Sequence, residues 1–230
     1  MYIRLKHTLS ELTLQAASDP HHAGFVAWAA AYARCASGGE AQPEATVAAR
    51  ARALGAALRQ AVREDGLRTL VRARLLWRGR GRVALPRPYR PYWPYFHTQV
   101  TRLAGATAFL VSRAAPPGVP DEAYRGLVLF DFGLFFACHE YFEGLWRESA
   151  GPRRDFYHGL VQLAAAFYHH EKGNRHGAVT LLRRAVRRLQ AGTAEACGVD
   201  VAALLAELEP WSDRFAAGQS APYPVLVAAP

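Results

Sequence analysis

Sulfur-containing side chains are scarce in this 230-residue sequence. It has one methionine and three cysteines, Cys35, Cys138 and Cys197. The cysteines lie far apart and form no CxxC pair, which excludes a disulfide framework and a zinc ribbon. Unpaired cysteines are typical of a reducing compartment, so we expect a cytoplasmic protein.

Long apolar runs are also missing. The stretch from Leu103 to Val111 is among the longest, and it is far too short to cross a bilayer. No apolar run follows the charged residues of Met1 to Ser10, so we expect no secretory signal and no membrane partner. Because 51% of the residues are hydrophobic, the chain has ample material for a folded core.

Lysine is nearly absent, since all but two of the 28 basic side chains are arginine. The charge is divided unevenly along the chain. Residues 1–120 carry 17 basic and 6 acidic side chains, a net charge of +11, whereas residues 121–230 carry 11 and 13, a net charge of −2. The two halves are therefore expected to meet different partners, although a GC-rich coding bias accounts for part of the arginine.

The first half, residues 1–114, is predicted to be a basic and mainly helical region. The segment 67–77 suits either a helix or a strand, and Arg78-Gly79-Arg80-Gly81 suggests a hairpin turn near residues 68–86. The proline-rich segment 86–94 is expected to be extended or looped. Helices are predicted at 24–36, 45–62 and 96–112.

The second half begins after a proline-rich linker at residues 115–120. Residues 121–209 are predicted to form a helical bundle, and residues 210–230 an extended tail. The expected fold class is therefore all-α. Helices are predicted at 121–131, 135–148, 154–171, 175–190 and 200–208, with Asp200 as an N-cap and Pro210 as a stop.

Helix 135–148 carries an ionisable pair within an aromatic stripe. At 100° per residue, His139 and Glu143 fall within an arc of about 100° together with Phe135, Phe136 and Trp146. A stripe of this width is expected to face the core. An ionisable pair there needs partners, because burying it unpaired costs several kcal/mol.

Helix 154–171 has a complementary pattern. His158, Gln162, Ala165 and His169 share one face, while the face with Phe156, Leu160, Leu163 and Phe167 is apolar. If the apolar face packs in the core, the polar face is free to turn toward His139 and Glu143. The candidate pocket then consists of His139, Glu143, Trp146, His158, Gln162 and His169.

The same segment carries a series of residues with characteristic order and spacing. They are Phe135-Phe136, His139-Glu140, Glu143, Trp146, Gly159-Leu160, Gln162, Ala164 to Ala166, His169, Gly173-Asn174, Gly177-Ala178 and Leu181-Leu182. This series resembles domain-of-unknown-function family 309, a bacterial and plastid group of small helical proteins. The resemblance extends over residues 121–209 and implies a compact helical bundle but no activity. Family members often carry Asn in place of Asp131 and an acidic residue in place of Ala137.

Three interpretations of this pocket remain open. His139 and Glu143 form a buried hydrogen-bonded brace, or the pocket binds a small molecule or peptide without chemistry. The third is a metal-dependent hydrolase in which His139, Glu143 and His169 hold a divalent metal ion. HEYFE resembles half of a zincin motif, but Glu143 stands where a second His is required. A binding or scaffold role is favoured, and no catalytic residue is assigned.

The arginines of the first half suggest a separate function. The segment from Arg63 to Arg90 has nine arginines and two acidic residues and is followed closely by aromatic side chains. Arginines that contact phosphates and aromatics that stack on bases are typical of a nucleic-acid surface. A solvated basic face is the alternative. The candidate nucleic-acid contacts are Arg72, Arg74, Arg78, Arg80, Arg82 and Trp93.

Overall fold

A computed structural model describes residues 1–57, 62, 64–191 and 199–227. Cys197 and the end of the helix predicted at 45–62 lie outside these residues. The chain divides into two compact units, Met1–Arg113 and Ala114–Pro230. Both are mainly helical, which confirms the predicted fold class. Among the described residues, no helix is both long enough and apolar enough to cross a membrane.

The N-terminal unit is built around a buried helix. Every residue of α2 from Phe25 to Ala33 is buried, as expected for a helix that is apolar on all sides. Helices α3, α4 and α5 pack against α2, and α1 packs against α5. The helices are α1 (Tyr2–Ser18), α2 (Gly24–Cys35), α3 (Glu44–Ala57), α4 (Glu64–Arg72) and α5 (Trp93–Ser112).

A small antiparallel sheet completes this unit. Its strands are β1 (Gln42–Pro43), β2 (Trp77–Gly79) and β3 (Arg82–Ala84), in the order β1-β3-β2. The predicted hairpin is confirmed, since Gly79 pairs with Arg82 and a two-residue turn of Arg80 and Gly81 joins the strands. Both turn residues have positive φ, 49° and 66°, as a type I′ turn requires.

The C-terminal unit is a helical bundle. The long helix α8 packs against α7 on one side and α9 on the other. The apolar face predicted for α8 is buried, with Phe156, Leu160, Leu163 and Phe167 at most 1% exposed. The helices are α6 (Asp121–Asp131), α7 (Phe135–Glu148), α8 (Gly151–Glu171), α9 (Arg175–Ala191), α10 (Val201–Leu208) and α11 (Trp211–Ala217).

Prolines account for two wrong predictions. The segment Arg87–Tyr92 is a 3₁₀ helix rather than an extended segment, because the φ that proline fixes is compatible with helical turns. The helix predicted at 200–208 ends at Leu208, before Pro210, as expected, but residues 210–230 are not extended throughout, because Pro210 is the N-cap of α11. Proline is tolerated there since the first N–H groups of a helix have no partner within it.

Candidate functional site

Helix α7 presents two faces with different surroundings. Phe135, Cys138 and Phe142 are buried in the core of the unit. Phe136, His139, Glu143 and Trp146 are half-buried, so the expectation that their stripe faces the core is wrong. The physical reason lies on α6, where Gly126 lacks a side chain and Phe142 packs directly against its backbone. The Cys138 thiol also donates a hydrogen bond to the Gly126 carbonyl, at 3.4 Å.

The half-buried stripe of α7 meets the polar face of α8. We call this line of contact the α7–α8 seam and define it by Phe136, His139 and Trp146 of α7 with His158, Gln162 and Tyr168 of α8. Its side chains are fixed by contacts between the two helices rather than by one enclosed cavity. The seam is therefore a shallow surface, open to solvent along part of its length.

His139 lies in the middle of the seam. Its Nδ1 is 3.2 Å from the main-chain carbonyl oxygen of Val161 on α8. A carbonyl accepts only, so Nδ1 carries the proton, and in the neutral ring Nε2 keeps a lone pair. Among the described residues, Nε2 has no hydrogen-bond partner. His139 thus has one nitrogen that holds the helices together and one that remains available.

One end of the seam is an aromatic stack. The rings of Trp146 and His158 are 4.4 Å apart, and the guanidinium of Arg154 lies 5.2 Å from the Trp146 ring. Burial, reinforced by the charge of Arg188, lowers the pKa of His158. The His158 imidazole is therefore uncharged at neutral pH, which suits its place between an indole and two arginines.

Gln162 links this stack to the rest of the seam. Its amide nitrogen lies 3.1 Å from Nε2 of His158. Its Oε1 is enclosed and has no hydrogen-bond partner. Rotating the side-chain amide by about 180° would exchange Oε1 and Nε2 and leave the nitrogen enclosed instead of the oxygen. Either orientation keeps one polar end of Gln162 unsatisfied, an unfavourable state that costs about 1–3 kcal/mol.

The other end of the seam repeats the pattern of aromatic rings beside a cation. Phe136 and Tyr168 pack with ring centres 5.4 Å apart, and the ammonium of Lys172 lies 5.5 Å from the centre of the Tyr168 ring. Each end therefore has two packed rings and a positive charge, with His139 between them.

Glu143 does not join His139. Its carboxylate accepts a hydrogen bond from Arg147 one turn along α7, at 2.7 Å, and the Glu143 side chain is 30% exposed. The predicted His139–Glu143 brace is not formed. The residue that actually joins α7 to α8 through His139 is Val161, and its contribution is a main-chain carbonyl that residue type does not reveal.

His169 serves the connection between α8 and α9 rather than the seam. The side-chain amide of Asn174 donates a hydrogen bond to its Nδ1 at 2.8 Å, and the side-chain Oδ1 of Asn174 accepts one from the Gly177 N–H at 2.9 Å. The metal ligands predicted at His139, Glu143 and His169 thus have three separate partners. Within the described part of the chain, no three His, Cys, Asp or Glu side chains lie close enough together to hold a metal ion.

The arginines predicted to bind nucleic acid fall into two groups. Arg78 is paired with Glu44 and Glu64, and Arg82 donates to the Ala41 carbonyl, so both hold the small sheet in place. The exposed remainder comprises Arg72, Arg74 and Arg80. Trp93 packs edge-on against Tyr32 and beside Phe96, as part of an aromatic cluster.

Trp77 is the exposed tryptophan that the sequence analysis did not single out. Its side chain is 48% exposed at the start of β2. Its position one residue before Arg78-Gly79-Arg80-Gly81 was a usable signal, because a residue at the open end of a short hairpin is often solvated.

The chain after α11 docks on the C-terminal unit. The half-buried carboxylate of Asp131 accepts hydrogen bonds from the main-chain N–H groups of Leu226 and Val227, at 2.7 and 2.9 Å. Burial raises the pKa of Asp131 to about 7, although the two N–H groups oppose that shift. Tyr223 packs edge-on against Phe135 and Phe167, so the tail is held by its side chains as well.

Comparison with known proteins places the seam within a recognised segment. Residues 124–181 match the family model "Domain of unknown function (DUF309)", which confirms the resemblance. The chain is 43% identical over 58 residues to "Uncharacterized protein YpuF" of Bacillus subtilis (strain 168). This match covers 25% of the chain and 33% of that protein, so it spans about a third of the relative's length. No solved structure matches the chain.

Proposed function

We propose that the C-terminal unit is a binding module and that the α7–α8 seam is its recognition surface. The observation that carries this proposal is the state of His139. Its Nδ1 is fixed on Val161, while Nε2 has no hydrogen-bond partner among the described residues. The complementary ligand presents an N–H or O–H group to Nε2.

The aromatic rings favour binding over a purely structural role. A few polar groups that converge among aromatic side chains are typical of ligand sites between bundle helices. The cations at the two ends are Arg154 of α8 and Lys172, the residue that follows α8, and they lie about 27 Å apart along the helix axis at 1.5 Å per residue. This length exceeds that of a small molecule, so the seam also accommodates a peptide.

The geometry does not favour a metal-dependent hydrolase at His139, Glu143 and His169. His139, Glu143 and His169 are engaged by Val161, Arg147 and Asn174 respectively. Among the described residues, no three His, Cys, Asp or Glu side chains lie close enough together to hold an ion, so a metal site built from these three would require their side chains to move together.

A reducing, cytoplasmic location remains part of the proposal. Cys138 is a buried free thiol and Cys35 a half-buried one. Burial raises the pKa of the Cys138 thiol well above its ordinary value, so it stays protonated and acts as a small core side chain. Free thiols of this kind support a compartment that does not favour disulfides.

Matched pairs of small molecules test the seam in the full-length protein. Benzimidazole and 7-azaindole each carry a ring N–H, and their N-methyl derivatives do not. Because only the N–H forms donate to Nε2 of His139, we expect them to shift the NMR signals of His139 and Gln162, and the N-methyl forms to shift neither.

Two variants of His139 separate binding from support of the fold. In His139→Asn the amide nitrogen can still donate to the Val161 carbonyl, so we expect binding to be lost and the melting temperature to stay unchanged. In His139→Leu, ligand binding and the hydrogen bond to the Val161 carbonyl are both lost, and the unfolding free energy should fall by about 1 kcal/mol. Equal shifts from N–H and N-methyl probes, or shifts that persist in His139→Asn, would contradict the proposal.

A further inference from the structure

A cavity in the N-terminal unit combines positive charge with an exposed indole. Its volume is ≈ 570 Å³, within the range of about 300–1,000 Å³ typical of small-molecule sites. It lies between the end of α4, strand β2 and the chain that follows β3. The lining includes Trp77 and four arginines, Arg74, Arg78, Arg87 and Arg90.

The indole of Trp77 is held at the rim by its neighbour on the same strand. A Cβ atom on Gly79 would lie 2.5 Å from Cζ2 of Trp77, so the ring rests directly over the glycine. With the side chain 48% exposed, the part of the ring that does not cover Gly79 is available to a ligand. An exposed ring held in this way is suited to stacking on a flat group.

The four arginines of the cavity have different roles. Arg78 is neutralised by Glu44 and Glu64, and Arg90 donates to the Leu85 carbonyl at 3.4 Å. Arg74 and Arg87 are exposed, and within the described residues neither has a carboxylate partner. These two side chains leave an uncompensated positive charge beside the indole.

The backbone of Arg74 adds an independent observation. Its φ is 57°, in the left-handed region, and it follows the end of α4. The N–H of Leu75 bonds to the Leu70 carbonyl and that of Arg74 to the Val71 carbonyl, which is the Schellman pattern in which glycine usually takes this position. An arginine there costs about 1–2 kcal/mol relative to glycine, so the side chain is kept at the expense of stability.

We propose that this cavity binds a nucleotide, with the base stacked on Trp77 and the phosphate held by Arg74 and Arg87. Guanidinium groups pair with phosphate oxygens through two parallel hydrogen bonds, and an indole stacks on any base. A free mononucleotide and a unit of a single strand share this chemistry. The proposal is independent of the α7–α8 seam.

The hairpin provides a matched control. Arg80 also has a left-handed backbone, with φ 49°, and it is exposed, but it does not line the cavity. Arg74→Gly and Arg80→Gly therefore make the same substitution, remove the same charge and relieve the same kind of strain. Neither is expected to lower the melting temperature, so a difference in binding between them reports the cavity.

The full-length protein is titrated into a fluorescent single-stranded oligonucleotide of about ten nucleotides, a length within the site sizes of single-strand grooves. We expect Arg74→Gly and Trp77→Leu each to weaken binding by about tenfold or more, and Arg80→Gly to leave it nearly unchanged. Competition by AMP at low salt would identify a free nucleotide as sufficient, and its failure to compete would identify the strand as the ligand; either supports the proposal.

Other outcomes overturn it. Equal weakening by Arg74→Gly and Arg80→Gly would indicate a general attraction between charges. Binding to a duplex as tight as to the single strand, with no effect of Trp77→Leu, would remove the stacking role. Absence of binding even at low salt would end the proposal, as would binding to phosphatidylglycerol vesicles in place of the oligonucleotide.

Discussion

At the scale of single residues, Asp131 has the most unusual environment. Its carboxyl group is half-buried at the end of α6 and accepts hydrogen bonds from two main-chain N–H groups of the tail. Burial disfavours the charged form and raises the pKa to about 7, compared with an ordinary value of 3.8. The folded protein therefore binds a proton at Asp131 at pH values where the unfolded chain has released it.

The stability of the protein is accordingly expected to depend on the charge of Asp131. A raised carboxyl pKa contributes stability that is fully present below pH 3.8 and is lost as the pH rises to about 7. Between these limits the contribution of Asp131 to the unfolding free energy should fall by up to about 4 kcal/mol. Denaturant unfolding at a series of pH values measures this change.

The control for this experiment is Asp131→Asn, which has nearly the same shape and no titrating group. As the pH rises over this range, the unfolding free energy of the protein with Asp131 should fall relative to that of Asp131→Asn. A difference that stays constant would show that the carboxyl group titrates at its ordinary pKa.

At the scale of elements, the close packing of α6 and α7 determines which face of α7 reaches the core. A Cβ atom on Gly126 would lie 2.5 Å from Cζ of Phe142, a fully buried side chain. The ring of Phe142 has little room to move, because interiors are packed as densely as organic crystals. The missing side chain at Gly126 therefore sets the rotation of α7 and places His139 at the seam.

Two glycine substitutions on these neighbouring helices are expected to have opposite effects. Gly126→Ala forces Phe142 or α7 to shift and should lower the unfolding free energy by about 1–3 kcal/mol. Gly144→Ala, within α7, meets nothing within 4 Å and should raise it by about 0.5–1 kcal/mol, since alanine is the better helix former. Thermal or denaturant unfolding compares them, and equal effects would refute this account of the α6–α7 contact.

At the scale of the whole molecule, each of the two units has its own buried core. Cores formed by separate segments often unfold in separate steps. We expect calorimetry of the full-length protein to resolve two transitions, with Gly126→Ala lowering the temperature of one of them. A single transition that shifts as a whole in this variant would show that the two units unfold together.

The predictions from sequence succeeded where single residues mark the ends of helices. Asp200 caps α10 by accepting from the Ala203 N–H at 3.0 Å, and α6 begins directly after Pro120, at the predicted residue. Helix α1 was missed, although Leu5, Leu9, Leu12 and Ala16 are buried with helical spacing. The apolar periodicity of α1 is weaker because polar and charged residues interrupt it along the whole helix.

The candidate site was predictable in part. Spacing identified the residues that share a face of α7 or α8, because helical geometry alone determines that. It did not reveal which apolar face of α7 turns inward, since Phe135 and Phe136 are equally apolar and the choice depends on Gly126 of another helix. Nor did it reveal that Asn174 takes His169 away from the seam, because that contact depends on the turn between α8 and α9.

The way Asp131 holds the tail has a consequence for the sequence near the C-terminus. The carboxylate accepts hydrogen bonds from the main-chain N–H groups of Leu226 and Val227. Neither bond involves the side chain of Leu226 or Val227. These two hydrogen bonds in themselves require no particular side chain at either position, although the Val227 side chain is buried. Proline is the exception, because it has no N–H to offer. A single leucine-to-proline or valine-to-proline replacement would therefore leave one carboxylate oxygen of Asp131 without its donor.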